Sequence, residues 1–312
     1  MKTIYKTFTG IFLLSIFLMA CGPSDPGYQF TQSWGKTGSG PGEFRQPIGI
    51  AIAGDEIFVS DAGNDRIQVF DKKGQFLRQF GKEGNGLGEL SRPMHMDIRN
   101  KKLYVAEYLN DRIQVFSLQG KSLAVIGSSG SGPGQFDAPG GVAADDEGNL
   151  YVADFYQHRV QLLDSKGKLI RQYGTTKKIG TQAGQFKYPT DTALLPDGKL
   201  VVGDAYNDRV QIFKVDGSPL RMWQGTDQGK GKFKTATAVS VGPKGSIFVA
   251  DFFNHRIQKF TEDAKFLTRF GKQGKGDGEF ERPTDMALDT EGNLYVVDFG
   301  NDRIQKFSQK TQ

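Results

Sequence analysis

The chain has a single cysteine, Cys21, and only three histidines among its 312 residues. No disulfide can form within one chain, and no zinc module built on several cysteines can exist. The longest apolar run, residues 11–20, is too short to cross a bilayer as a permanent helix. Charge of either sign is scarce in excess, with 40 lysines and arginines against 35 aspartates and glutamates. That balance is weak evidence for a polyanion-binding surface, and with no zinc-binding cysteines and an export signal at the start of the chain, nucleic acid is not expected as a partner. No serine or cysteine nucleophile and no phosphate-cradling loop stands out. The glycine-rich segments, such as Gly38-Ser-Gly-Pro-Gly42, recur at regular distance and read as hinges between units.

The beginning of the chain reads as an export signal. Lys2 and Lys6 precede the apolar run, which ends in Leu18-Met19-Ala20-Cys21. This resembles a bacterial lipoprotein signal, in which residues 1–20 are removed and Cys21 becomes lipidated. Several acyl chains on one residue give lasting membrane attachment, where a single chain gives only marginal binding. Residues 21–27, rich in proline and glycine, form a short tether. The resemblance implies a cell-envelope location. With Gly22 after the cysteine, it implies the periplasmic side of the outer membrane in a Gram-negative cell.

What the chain has in abundance is repetition. An arginine recurs as Arg66, Arg112, Arg159, Arg209, Arg256 and Arg303, at intervals of 46 to 50 residues and in the same local text. Such a period marks a unit that buries its apolar faces only against copies of itself. Within the first copy, Ile48-Gly-Ile-Ala-Ile52 and Glu56-Ile-Phe-Val-Ser60 read as strands. Residues 66–70 alternate polar and apolar, as a half-buried strand does, and residues 75–80 form a more polar fourth strand. Four sequential antiparallel strands per repeat make a blade, and blades arranged radially make a propeller. The sixth copy ends after its third strand. Residues 27–35, ahead of the first copy, align with the fourth strands of the others, so the N-terminal segment is expected to close the ring. The expected fold is an all-β six-bladed propeller over residues 28–312.

The text Asp61-Ala-Gly-Asn64-Asp65-Arg66-Ile-Gln-Val-Phe70, and above all Asn254-His255-Arg256-Ile257, is similar to the NHL repeat. The resemblance runs through all six copies and implies the propeller. It leaves the function open, because that fold hosts binding proteins, sensors and a few enzymes.

Three sets of residues are candidates for chemistry. In the first, Asp61, Glu107, Asp154, Asp204, Asp251 and Asp298 each precede a periodic arginine by five residues. A carboxylate ring could hold a cation, but six acids matched by six arginines read better as repeated structural ion pairs. The second set stands near the start of each first strand, where the copies differ: Gly49, His95, Gly141, Asp191, Ala238 and Asp285. His95, Asp191 and Asp285 fall on alternate blades, and one imidazole with two carboxylates could bind a divalent metal, calcium or zinc, in the channel. The third set follows the acids: Tyr108, Phe155, Tyr156, Tyr206, Phe252, Phe253 and Phe299, with Arg45, Arg92 and Arg282 on neighbouring entry loops. Flat rings beside cations on one face suit a protein, peptide or glycan ligand.

The sequence therefore points to a lipid-anchored, non-catalytic propeller that binds a partner through its loop face and requires no cofactor. The alternative is a metal-dependent propeller enzyme, of the lactonase or peptide-amidating-lyase type, with its site on the channel axis.

Overall fold

The structure is a computed structural model that describes residues 25–226 and 231–310. Residues 1–20, Cys21 and the first part of the tether lie outside the described residues. Six four-stranded antiparallel sheets follow one another around a central axis. The first blade is built from Pro47–Ala53, Glu56–Asp61, Arg66–Asp71 and Phe76–Phe80. The innermost strands of the others are Pro93–Arg99, Pro139–Ala144, Asp191–Leu194, Ala236–Val241 and Pro283–Leu288. Each innermost strand packs against those of both neighbouring blades, the sixth against the first, so the ring is closed.

Closure is made by Tyr28–Trp34, which pairs antiparallel with Arg303–Gln309 and supplies the outer strand of the sixth blade. Gly27 O also accepts a hydrogen bond from Lys310 N at 3.1 Å. The apolar faces between blades form the core. At the joint between first and sixth blades, Phe44, Ile57 and Phe70 meet Tyr295, Val297 and Ile304, with Trp34 alongside. Each large side chain buried there contributes roughly 1.5–3 kcal/mol.

Two expectations need correcting. The third strand of a blade is not half-buried: Arg66, Ile67, Gln68, Val69 and Phe70 are all buried. The glycine-rich loop lies over its polar side and satisfies it. Gln68 Nε2 donates to Glu43 O at 2.7 Å, and Gln68 Oε1 accepts from Gly42 N at 2.9 Å. For the same reason the loops are not hinges. Gly40, Gly86, Gly132 and Gly276 each donate from the backbone to a side chain three residues on (Glu43, Glu89, Gln135 and Glu279), at 2.9 Å in every case. Thr37 further bridges Phe44, and Gln273 bridges Phe280.

Candidate functional site

The six acid–arginine pairs hold one geometry, with arginine Nε 2.6–2.8 Å from a carboxylate oxygen in every blade. Each carboxylate is completely buried. Asp61 is surrounded by donors: Arg45 N at 2.7 Å, Asn64 Nδ2 at 2.9 Å, Arg66 Nε at 2.7 Å and Gln68 Nε2 at 3.1 Å. Arg66 Nη2 reaches on to Gly40 O and Glu43 O. These carboxylates face donors rather than one another, and the set fastens each blade to its entry loop.

The residue before each arginine joins blade to blade. The chain turns through 3-10 segments such as Ala62–Asn64 and Ala205–Asn207 into a left-handed residue, Asp65 or Asp208. Asp65 Oδ1 accepts Arg92 N at 2.7 Å, Asp111 accepts Ala138 N, and Asp302 accepts Gln46 N across the closing joint. In two blades an imidazole does this work: His158 Nδ1 accepts Tyr188 N at 3.2 Å, and His255 Nδ1 accepts Arg282 N at 3.1 Å. Burial lowers the pKa of His158, which favours the neutral acceptor form.

The turns after the acids and the entries to the innermost strands share one face of the ring. Tyr108, Phe155, Tyr156 and Tyr206 meet there in a continuous cluster with centroid separations of 5.0–6.1 Å along its edges. Tyr188 completes it, 4.9 Å from Phe155 and 5.0 Å from Tyr206. Sequence reasoning missed Tyr188. It occupies the position before the entry proline (Ala236 in the fifth blade), held at positive φ in every blade, and the repeat there reads Gln46, Arg92, Ala138, Tyr188, Thr235 and Arg282. Comparing those six residues would have exposed the lone aromatic. Tyr156 and Tyr206 are about half exposed, at 47% and 52%. A second group joins Phe252 to Phe253 and Phe299, with Lys234 over Phe253 and Arg282 over Phe299. Arg92 instead donates to Gln46 Oε1, and Arg45 is exposed beside Gly63.

On the axis, His95, Asp191 and Asp285 come together from the second, fourth and sixth blades. One potential ligand atom from each lies within 4.8 Å of the others, and all three residues are buried. Asp285 Oδ2 accepts Ile50 N at 2.9 Å and its Oδ1 accepts Met286 N at 2.8 Å; Asp191 Oδ2 accepts Val239 N at 3.0 Å. His95 Nδ1 lies 3.2 Å from Asp285 Oδ2, an ion pair without an aligned hydrogen bond. Burial disfavours the imidazolium, but Asp191 and Asp285 outweigh it and push the His95 pKa up to about 9. Burial raises that of Asp191, with Asp285 adding to the rise and His95 opposing it. From this level a cavity of about 220 Å³ runs along the innermost strands toward their far ends at Arg99, Leu194 and Leu288.

A family model for a 6-bladed beta-propeller matches residues 45–102, 90–173 and 239–312. The chain belongs to that family. The NHL repeat model matches residues 186–213 of the propeller. Among solved structures, the propeller is similar to a catalytically inactive virginiamycin B lyase from Staphylococcus aureus with quinupristin. The identity is 15% and the TM-score 0.62, covering 92% of this chain and 87% of that one. A protein of unknown function from Bacteroides thetaiotaomicron is 17% identical at TM-score 0.69, covering 90% and 76%. A gluconolactonase from Xanthomonas campestris is 12% identical at TM-score 0.63, covering 86% and 87%. At these identities the likeness is one of fold. No curated protein matches the chain.

Proposed function

We propose that the propeller is a lipid-anchored, extracytoplasmic binding protein that captures a protein or peptide partner on its aromatic face. The observation that carries this reading is the cluster of Tyr108, Phe155, Tyr156, Tyr188 and Tyr206. Rings on turns that pack on one another while leaving Tyr156 and Tyr206 half exposed form a rigid, amphipathic contact surface. Leu109, 62% exposed on the second blade's turn, extends it. The blades' differences fall here, while their identities fall in the ion pairs.

The position of Asp25 supports an anchor that leaves this face free. Tyr28 pairs with Gln309, beyond the blade end where Leu288 pairs with Leu294, whereas Phe299 follows Asp298 at the opposite end. Asp25 is tied down by Lys259 Nζ at 2.5 Å, and that ammonium also sits over the rings of Tyr28 and Phe248. Only three residues, Gly22, Pro23 and Ser24, lie between Cys21 and Asp25, and the four chain steps reach about 14 Å when extended. A lipidated Cys21 would thus hold the opposite face to the membrane and turn the aromatic face away from it.

The test places a photo-cross-linking residue at Tyr206 in the full chain within intact cells, with Leu77 on an outer strand as control. A discrete, protease-sensitive adduct from Tyr206 alone, lost in Tyr156→Ser, supports the reading. Equal adducts from both positions, or a protease-resistant glycan adduct, contradicts it. Incorporation of labelled fatty acid that vanishes in Cys21→Ser tests the anchor separately.

A further inference from the structure

We propose that His95, Asp191 and Asp285 form a mononuclear site for a divalent transition-metal ion on the propeller axis, open to small ligands from the face opposite the aromatic one. Three independent features converge on it. The donor atoms already lie within 4.8 Å of one another, a spacing that one ion can span with little adjustment. The imidazole, only 4% exposed, directs Nδ1 into the cluster without an aligned hydrogen bond. Coordination to an ion would take the place of its unaligned contact with the Asp285 carboxylate, 3.2 Å away.

The third feature is the alternation of the blades. A Cβ on Gly49 would lie 2.4 Å from Met94 O and 2.9 Å from His95 Cα, and one on Gly141 would lie 2.6 Å from Asp191 Oδ1. The first and third blades are bare where His95 and Asp191 need space, and the fifth carries only the methyl of Ala238. Backbone N–H groups of Val239 and Ile50 hold the two carboxylates toward the axis, as outer-shell donors hold metal ligands.

The donor set defines the ion. One imidazole with two carboxylates neutralises a doubly charged cation and suits zinc, manganese, iron or cobalt; calcium prefers six to eight oxygens and no nitrogen. Three protein ligands leave positions for water or a ligand oxygen. Asp191 and Asp285 both line the 220 Å³ cavity, which gives a small oxygen-donor ligand a route to those positions. This site is independent of partner capture, since the two lie on different parts of the molecule.

The test uses the full chain in detergent micelles, stripped with chelator and titrated with Co²⁺. Visible d–d bands that saturate at equimolar metal, are displaced by Zn²⁺, and accompany a rise in melting temperature are expected. Asp191→Asn and Asp285→Asn, which keep side-chain shape, should each weaken binding by more than about a hundredfold, the upper end for outer-shell changes. Asp97→Asn, in the wall of the same cavity but bonded to Ala144 N, should bind as the unaltered chain does. Should one asparagine variant fail to fold, the other and His95→Gln carry the comparison. The proposal is overturned by absent bands, by bands that survive in folded variants, or by saturation with Ca²⁺ and indifference to Co²⁺ and Zn²⁺.

Discussion

A Cβ built on Gly141 would lie 2.6 Å from Asp191 Oδ1 and 2.9 Å from Asp191 Cα. The bare third blade and the carboxylate of the fourth are therefore two halves of one feature. The innermost strands of the third and fourth blades approach too closely for both to carry a side chain at this level. Gly141→Ala is expected to destabilise the chain by about 1–3 kcal/mol, because the crowding atoms include backbone that cannot rotate away. Denaturant unfolding measures it; a loss below about 0.5 kcal/mol would mean that the strands part without cost.

Ring closure yields a sharper contrast. Removing residues 27–35 deletes the whole outer strand of the sixth blade, with Tyr28 and Phe30 from one inter-blade core and Trp34 from the next. It also exposes the edge of Arg303–Gln309, a template for pairing with other chains. Of the described residues, trimming 310–312 removes only Lys310, with its hydrogen bond to Gly27 O. The first truncation should lower the melting temperature far more than the second and promote aggregation. Equal melting would argue that the N-terminal strand does not close the ring.

The repeated arginines are not equally placed. Arg159 is almost fully buried and donates to Asp154, Ser131 O, Gly132 O and Gln135 O, whereas the guanidinium of Arg303 is more exposed. Lysine keeps the charge but cannot reproduce the planar fork, so Arg159→Lys strands buried carbonyls. A loss of about 2–4 kcal/mol is expected, summing one or two unsatisfied groups. Arg303→Lys should cost clearly less, since its side chain is more open to water. Urea unfolding of the two variants decides; identical losses would show that burial does not govern the pairs.

Much of this was legible in the sequence because each blade repeats it. The period gave the blades, the fragment before the first copy gave the closing strand, and the five-residue offset from Asp61 to Arg66 gave the ion pair. Aligning the copies also placed His95, Asp191 and Asp285 on alternate blades, and the structure brings them together. What escaped notice lacks a local signature. Tyr188 joins the aromatic cluster from a pre-proline position whose positive φ leaves no mark in the text. Asp25 meets Lys259 across 234 residues, outside any period. The burial of Gln68 depends on a loop folding back over a strand that, taken alone, alternates like an exposed one.

The staple between His158 and Tyr188 makes the aromatic face sensitive to acid. His158 Nδ1 must be unprotonated to accept Tyr188 N–H, and burial lowers its pKa below 6.5. The sign follows from linkage: a depressed folded-state pKa gives stability present above the unfolded value of about 6.5 and lost as pH falls through the folded value. Acidification below about pH 6.5 should therefore loosen the third-to-fourth blade joint and the ring of Tyr188, which packs 4.4 Å from the imidazole. Asp65, Asp111, Asp208 and Asp302 perform the same task in other blades with a carboxylate. His158→Asp should accordingly keep the hydrogen bond and shift the acid sensitivity of this joint to the carboxylate range. Amide hydrogen exchange at Tyr188, followed from pH 7.5 to 5 with exchange rates corrected for pH, reads this out directly. Protection that falls equally in both proteins would show that the acid response arises elsewhere.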